Sequence, residues 1–280
     1  MTPNQQVLNP AQRHAVEITG GPLLIIAGPG SGKTRVIAHR IAHLVKERAI
    51  QPHRILSVTF TNKAAGEMKS RLEELVGENT TKLLWVATFH ASCARILRSN
   101  IEQLGYSRSF TIYDTADQAT LIKEILKALQ MREEQNNPRA VLSHINRAKN
   151  DFVTPERFAE QADGYFEEGV ARIYPVYQSY LRENNSLDFD DLLMLTVELF
   201  NSCPDVLEYY RNKFQYILVD EYQDTNRSQY LLVHALAQKH QNICVVGDDD
   251  QCLPAGTLIQ TPGGLRKIEK LRRGSVVVAA

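Results

Sequence analysis

The stretch LLIIAGPGSGKTRVIAHRI, residues 23 to 41, decides the fold of this 280-residue chain. It opens with four consecutive apolar residues, as in a strand that is covered on both faces of a parallel sheet. Glycines follow, and then Ile37, Ile41, Leu44 and Val45 recur with the spacing of one helix face. A buried strand, a glycine-rich loop and an amphipathic helix in this order predict an α/β fold.

Four further apolar runs end in polar or small residues in the same way. They occupy residues 54–62, 82–90, 216–224 and 242–251, and helical patterns separate the runs. Ligands of an open parallel sheet bind at the carboxyl ends of its strands. The polar endings of the five runs are therefore expected to surround one site.

The middle of the chain, from residue 114 to 185, lacks a strand pattern and is predicted to be helical. Asp114 is the predicted N-cap of one helix, and Thr154 that of another, with Pro155 at its first position. We therefore predict a helical subdomain inserted into the α/β unit. The predicted bounds are 1–113 and 188–251 for the α/β domain, 114–187 for the insertion and 252–280 for a short β-rich segment.

Composition predicts a soluble globular protein, with 43% hydrophobic and 23% charged residues and a formal net charge of zero. The apolar runs are too short to cross a bilayer and the amino terminus has no signal-peptide pattern, so a cytoplasmic location is expected. The four cysteines have no paired spacing, which argues against a zinc site or a disulfide framework. Neutral net charge still allows a local phosphate-binding surface.

The glycine-rich loop matches the phosphate-binding pattern GxxxxGK followed by Ser or Thr, and it stands between a predicted strand and a predicted helix. Its glycines let backbone N–H groups point at phosphate oxygens, and the start of the following helix carries positive potential. Lys33 can reach the terminal phosphates of a nucleotide, and Thr34 can ligate magnesium. The loop therefore predicts a nucleotide-binding site.

Adjacent carboxylates follow the fourth apolar run in ILVDEYQD, residues 217–224. Asp220 can hold the magnesium ion while Glu221 orients and deprotonates a water for attack on the γ-phosphate. Gln251, at the end of the fifth run, is an uncharged amide that can sense the γ-phosphate or its water. Solvated surface groups are the alternative interpretation of all three side chains.

Seven motifs follow one another along the chain. They are LNPAQ (8–12), AGPGSGKT (27–34), TFTNKAAGEM (59–68), TFHA (88–91), DFDDLL (188–193), VDEYQDTN (219–226) and VVGDDDQ (245–251). Their order and wording resemble the UvrD/Rep/PcrA group of superfamily 1 DNA helicases over residues 1 to 251. The resemblance implies a RecA-like domain 1A with a helical insertion 1B, and a motor that uses ATP to move 3′ to 5′ along single-stranded DNA.

The resemblance also implies a role for individual residues. It puts Gln12 on the adenine edge, Thr34 and Asp220 on magnesium, Glu221 on the attacking water and Gln251 at the γ-phosphate. The residues that it puts around the phosphates are Ala27, Gly28, Pro29, Gly30, Ser31, Gly32, Lys33 and Thr34. Those that it puts on DNA are Phe60, Thr61, Asn62 and His90.

The implied DNA contacts suit binding that ignores base sequence, because a phenyl ring can stack on any base while hydroxyl and amide groups bond phosphates. A plain core position is the alternative for Phe60, and a structural histidine is the alternative for His90. The carboxylates of DFDDLL are expected to do no more than start a solvated helix.

At Cys252 the sequence changes character. In the helicase family VVGDDDQ continues into Ser-Ile-Tyr, whereas here Gln251 is followed by CLPAGTLIQTPGGLRKIEKLRRGSVVVAA. This stretch is similar to the first block of an intein: an initial cysteine, a strand at TLIQ, a turn at TPGG, a helix-like LRKIEKL and a strand at SVVVA. Cys252 would then be the splicing nucleophile that attacks the Gln251 carbonyl. A family-specific insertion and a frameshift are the alternatives.

The 280 residues are expected to be part of a larger machine. Arginines of a second RecA-like domain would complete the hydrolysis site, so this chain is expected to bind nucleotide, hydrolyse it poorly and leave duplexes intact. The later parts of an intein are also missing, so complete splicing is not expected. A P-loop ATPase with a non-DNA partner and an inactive splicing precursor are the rival interpretations.

Overall fold

The computed structural model describes residues 8–28, 30–248, 258–261 and 264–267. Within these ranges the chain forms two compact units. The sheet unit comprises the described residues of Met1–Phe89, Glu208–Thr225 and Val233–Ala280, and the helical unit comprises those of His90–Leu207 and Asn226–Leu232. These bounds differ from the predicted borders 1–113, 114–187 and 188–251, which stay a prediction about functional domains.

Five parallel strands form the sheet unit, as the five apolar runs predict. The strands of the described residues are β1 (Leu23–Ile26), β2 (Ile55–Thr59), β3 (Trp85–Thr88), β4 (Thr111–Ile112), β5 (Ser186–Leu187), β6 (Tyr216–Val219), β7 (Ile243–Gly247), β8 (Leu258–Thr261) and β9 (Gly264–Lys267). The order across the main sheet is β1-β7-β6-β2-β3, and all neighbours in it are parallel. Because all five strands point the same way, the ends of β1, β6 and β7 lie at one edge.

The helices alternate with the strands of the sheet and fill the middle of the chain. They are α1 (Pro10–Glu17), α2 (Lys33–Lys46), α3 (Asn62–Val76), α4 (Glu78–Leu83), α5 (Phe89–Asn100), α6 (Thr115–Ala128), α7 (Pro138–Asn150), α8 (Pro155–Gln161), α9 (Tyr165–Glu183), α10 (Phe189–Ser202), α11 (Pro204–Lys213) and α12 (Arg227–Ala237). The α/β fold class is confirmed.

The core of the sheet unit fixes the glycine-rich loop from both sides. Ile37, Ile41 and Leu44 of α2 have no exposed surface, as their spacing predicts. They pack in one cluster with Leu23 of β1 and Leu218 of β6. Complete burial of such a side chain contributes about 1.5 to 3 kcal/mol to stability. The strand before the loop and the helix after it are therefore held by the same apolar cluster.

The helical unit confirms both predicted N-caps. The Asp114 carboxylate accepts from the backbone N–H groups of Ala116 and Asp117, and the Thr154 hydroxyl accepts from that of Arg157. A buried cluster of α6, α7 and α9 side chains forms the core of this unit. The unit also contains a parallel pair of two-residue strands, β4 and β5.

Residues 258–261 and 264–267 form an antiparallel hairpin, with Thr261 paired to Gly264. The strand expected at TLIQ is confirmed as β8. The helix expected from residue 265 to 271 is wrong over its first three residues, which belong to β9. Antiparallel pairing with β8 outweighs the helical pattern of a short basic run. The predicted turn residues Pro262 and Gly263 and the strand expected at SVVVA lie outside the described residues. In the part of the chain that the structure describes, the helices are too short or too polar to span a membrane.

Candidate nucleotide-binding site

The glycine-rich loop joins β1 to α2 with two glycines in the left-handed region. The φ angle is 71° at Gly30 and 87° at Gly32, the residue directly before α2. Side chains with a Cβ rarely adopt these angles, which is why the pattern needs glycine there. Helix α2 then begins at Lys33, as the sequence predicts. Pro29 lies outside the described residues.

Lys33 is held by carboxylates from the ends of two neighbouring strands. Its Nζ lies 3.1 Å from Asp248 Oδ2, after β7, and 3.8 Å from Glu221 Oε2, after β6. Lys33 and Asp248 are both buried, whereas the Glu221 side chain is 39% exposed. The ammonium therefore sits at the meeting point of the strand ends, where sequence analysis expects the terminal phosphates of a nucleotide.

Thr34 and Asp220 form the second contact of the site. The Thr34 hydroxyl donates to Asp220 Oδ2 at 3.0 Å. Burial raises the pKa of the Asp220 carboxyl, and the nearby charge of Glu221 raises it further. A cation that binds here would offset both effects, and hydroxyl and carboxylate oxygens are ligands that Mg²⁺ prefers.

Few protein ligands are available at this contact. Among the described residues, no group of three or more His, Cys, Asp or Glu side chains could hold a metal by itself. The pair formed by Thr34 and Asp220 suits Mg²⁺, which commonly keeps waters and nucleotide phosphates as its other ligands.

Glu221 has an unusual backbone and a well-defined side chain. Its φ and ψ angles are 52° and 47°, in the left-handed region that costs a non-glycine residue about 1 kcal/mol or more. Gln223 Nε2 donates to Glu221 Oε2 at 2.7 Å. The other end of the same amide, Gln223 Oε1, accepts from the Asp248 N–H at 3.1 Å. Gln223 thus links the two strand ends.

Gln12 lies against the glycine-rich loop from the side of α1. It is the third residue of that helix and forms a capping box with Asn9. Its Nε2 donates to the Ser31 carbonyl oxygen at 2.8 Å. The Ser31 hydroxyl is buried, and among the described residues it has no hydrogen-bond partner. A polar atom of this kind fits a site that is completed by a ligand.

A cavity of about 340 Å³ lies beside Gln12. Its walls include Ala15 of α1, Ile26 of β1, Gly28 of the loop and Lys33. Apolar walls with a few polar groups at one end suit a flat base that is followed by phosphates. Five of the residues that the sequence assigns to adenine and to the phosphates therefore line one cavity: Gln12, Ala27, Gly28, Ser31 and Lys33.

Of the residues assigned to DNA, three belong to the sheet unit. The Phe60 ring is half-buried and packs edge-on against Phe89, with the ring centroids 5.4 Å apart. Thr61 is exposed and caps α3, since its hydroxyl accepts from the Ala64 N–H at 3.1 Å. Asn62 is exposed at the first position of that helix.

The fourth, His90, belongs to the helical unit. Burial lowers the pKa of its imidazole, so the ring is uncharged at neutral pH. It packs edge-on against Phe189 at a centroid distance of 5.9 Å. Phe189 is 49% exposed and was not among the predicted site residues. An aromatic residue inside an acidic helix start is the signal that could have drawn attention to it.

The prediction that the DFDDLL carboxylates form a solvated helix start is wrong in one respect. Asp188 is the N-cap of α10 and forms a capping box with Asp191, as a helix start should. However, both carboxylates are buried, and each lies 2.7 Å from the Nζ atom of buried Lys149. Lys149 is 39 residues before Asp188 in sequence, so no local pattern announces the pair.

Comparison with known proteins identifies the family of this chain. Residues 8–253 match the model of the UvrD/REP helicase N-terminal domain. The chain belongs to this family. The chain is 53% identical to a protein of Bacillus subtilis (strain 168) named ATP-dependent DNA helicase PcrA. The alignment covers 246 residues, which is 88% of the chain.

Other relatives carry the same name. Identity is 51% with the protein of Leuconostoc citreum and 50% with that of Staphylococcus aureus (strain Mu50), each over 88% of the chain. The aligned part covers 33% of the Bacillus and Leuconostoc relatives and 34% of the Staphylococcus relative. The chain thus spans about a third of the length of the curated relatives it matches.

Two residues with a predicted role, Gln251 and Cys252, lie outside the described residues.

Proposed function

We propose that this chain is the part of an ATP-dependent DNA helicase that binds Mg-ATP and single-stranded DNA, in a motor that moves 3′ to 5′. The strongest support is the meeting of Lys33 with Glu221 and Asp248, and of Thr34 with Asp220, at one edge of the sheet. The relatives' name, ATP-dependent DNA helicase PcrA, points to the same activity.

ATP and Mg²⁺ are the proposed cofactors, and they would supply the phosphoryl group and the charge that neutralises it. Gln12 and the cavity beside it would take the adenine. Lys33 would bind the terminal phosphates in place of one of its carboxylate partners, and the loop residues would bind the others through backbone N–H groups. Thr34 and Asp220 would hold the metal.

Glu221 is the proposed base that takes a proton from the attacking water. Its carboxylate is partly exposed, so water can reach it, and the Gln223 amide fixes its direction. Gln251 is proposed to contact the γ-phosphate. Brisk hydrolysis and unwinding are proposed to need arginines from a second RecA-like domain, in keeping with the third of the relatives' length that this chain spans.

Single-stranded DNA is proposed to bind through aromatic and short polar side chains. In the sheet unit, Phe60 would stack on a base while Thr61 and Asn62 bond phosphates. In the helical unit, the exposed ring of Phe189 beside His90 would offer a second stacking surface. Such stacking contributes about 1 to 3 kcal/mol per base and does not depend on base identity.

Two titrations of the purified chain test this proposal. A fluorescent ATP analogue should bind in the presence of Mg²⁺, and fluorescein-labelled oligothymidylate should bind with a log affinity that falls linearly with log salt. Nucleotide binding without any DNA binding would favour the rival function, a P-loop ATPase with another partner. Loss of both would contradict the proposed function.

We also propose that a self-splicing element begins at Cys252. The family match ends at residue 253, and the hairpin of β8 and β9 follows within a few residues. In the proposed step the Cys252 sulfur attacks the carbonyl carbon of Gln251, the peptide C–N bond breaks, and a thioester and a free amine form. An added thiol would then release residues 252–280. Mass spectrometry that finds only the intact chain after thiol treatment would count against this step.

A further inference from the structure

A buried ion cluster occupies the centre of the helical unit. Lys149 Nζ, at the end of α7, lies 2.7 Å from both Asp188 Oδ2 and Asp191 Oδ1, and all three side chains are almost fully buried. The Tyr177 hydroxyl donates to Asp188 Oδ2 at 2.8 Å, and Gln178 Nε2 donates to Asp191 Oδ1 at 3.1 Å. Lys149, Tyr177 and Gln178 thus all donate to the two carboxylates of this cluster.

Lys149 keeps its positive charge despite burial. Burial lowers the pKa of the Lys149 ammonium, but attraction to Asp188 and Asp191 outweighs burial, and the pKa lies above its usual range. A buried ammonium held by two carboxylates is costly to assemble, and it is often no more stable than apolar residues of the same size. The presence of this ion cluster is therefore better explained by the geometry that it fixes than by added stability.

What the cluster holds is the first turn of α10. Asp188 is the N-cap of this helix and Phe189 is its first residue. Asn150, the neighbour of Lys149 in α7, donates through Nδ2 to Asp190 Oδ1 at 3.2 Å. The last two residues of α7 therefore hold all three carboxylates that surround Phe189 in sequence.

Another helix of the same unit shows that a capping box does not need such support. Asp114 and Asp117 form the capping box of α6 with exposed hydrogen bonds. The extra contacts at α10 surround Phe189, which is 49% exposed and packs with its ring against His90. An exposed ring in a fixed direction loses little conformational freedom when it stacks on a ligand.

We infer that Lys149 is a positioning residue, which fixes the first turn of α10 so that the Phe189 ring is presented beside His90 to a DNA base. This inference rests on the proposed binding of single-stranded DNA. Lys149 itself is buried and acts through Asp188 and Asp191, while Phe189 makes the contact.

A double-mutant cycle on the whole chain tests the inference. Affinity for fluorescein-labelled oligothymidylate is measured at one salt concentration for wild type, Phe189→Ala, Lys149→Met and the double variant. Phe189→Ala should weaken binding about fivefold to a hundredfold, the range expected for one stacked base. Lys149→Met should weaken binding by most of the same factor. The double variant should bind no more weakly than Phe189→Ala, because both changes remove the same interaction.

The control is Lys123→Met, which removes an exposed lysine of the same unit and should change affinity by less than about twofold. Full affinity in Lys149→Met, or losses that multiply in the double variant, would overturn the inference while the proposed function stands. If wild type shows no salt-dependent DNA binding, the proposed function and this inference fail together.

Lys149→Met leaves two buried carboxylates without their cation and can fail to fold. The triple variant Lys149→Met, Asp188→Asn, Asp191→Asn removes all three charges, and its amides can still form the capping box. It should keep the circular dichroism spectrum of wild type and lose the part of the affinity that depends on Phe189. DNA affinity equal to wild type, still sensitive to Phe189→Ala, would overturn the inference.

Discussion

Lys33 Nζ lies 3.1 Å from Asp248 Oδ2, so the lysine of the glycine-rich loop is held by a buried carboxylate that directly follows the neighbouring strand β7. The two residues are 215 positions apart in sequence. A nucleotide phosphate is negatively charged like this carboxylate and can take its place. Lys33 is therefore fixed in direction by the fold itself.

Replacement of Lys33 by methionine should weaken binding of a fluorescent ATP analogue about tenfold to a hundredfold, because a hydrogen bond to a charged group is lost. Fluorescence titration in Mg²⁺ measures the change. Lys46→Met, at the exposed end of the same helix, is the control and should bind like wild type. Equal affinity in the Lys33 variant would remove this lysine from the site.

Replacement of Gln12 by alanine should reduce selectivity for ATP over GTP about tenfold, because an amide that reads the base edge is lost. Affinity for GTP should change little. Competition of unlabelled ATP and GTP against the fluorescent analogue gives both values. Gln51→Ala, an exposed amide of the sheet unit, should keep the selectivity of wild type. Unchanged selectivity in the Gln12 variant would show that other groups read the base.

Replacement of Gln223 by glutamate tests how Glu221 is positioned. The new carboxylate can still accept from the Asp248 N–H, but it no longer donates to Glu221 and repels it instead. Affinity for Mg-ATP should stay within about threefold, while the residual single-turnover hydrolysis should fall about tenfold or more. Gln103→Glu adds the same charge at an exposed site and serves as control. Hydrolysis at the rate of wild type would argue against a positioning role for Gln223.

Asp190 should make the chain less stable as the pH rises. Burial, and then the charge of Asp188, raise the pKa of its carboxyl from the ordinary value near 3.8 to about 6. The folded protein therefore holds a proton on Asp190 between about pH 4 and pH 6 that the unfolded chain has released. The contribution of this group to stability falls as pH rises through that window.

The variant Asp190→Asn has no charge to gain, so its melting temperature should exceed that of wild type at pH 7, and the difference should shrink until it nearly disappears at about pH 4. Each kcal/mol corresponds to about 2 to 4 °C for a chain of this size. Differential scanning fluorimetry across the pH range measures this difference in melting temperature. Asp163→Asn, at an exposed position of the same unit, should show no such trend. A difference in melting temperature that does not change with pH would contradict the raised pKa of Asp190.

The strand, loop and helix that support the site could be predicted from short stretches of sequence. The run before Gly28 is apolar at every position, and the spacing of Ile37 and Ile41 marks one helix face, so strand, loop and helix could be predicted together. The caps at Asp114 and Thr154 were equally local, because a cap bonds to backbone within three residues of itself.

Contacts between distant residues could not be predicted in this way. Nothing near Lys149 in sequence indicates that it meets Asp188, since only packing of α7 against α10 brings them together. The role of Gln223 depends on the rotamer that lets one amide reach both Glu221 and the end of β7. Such side-chain choices follow from the tertiary structure and leave no periodic pattern.

The left-handed backbone at Glu221 has a consequence for mutational studies of this position. A glycine there would relieve the conformational strain and so increase thermal stability, while it removes the carboxylate. Stability and turnover would then move in opposite directions on a single substitution. Selection for heat resistance alone would then favour loss of the proposed catalytic carboxylate, so a thermostabilised relative should be checked at this residue first.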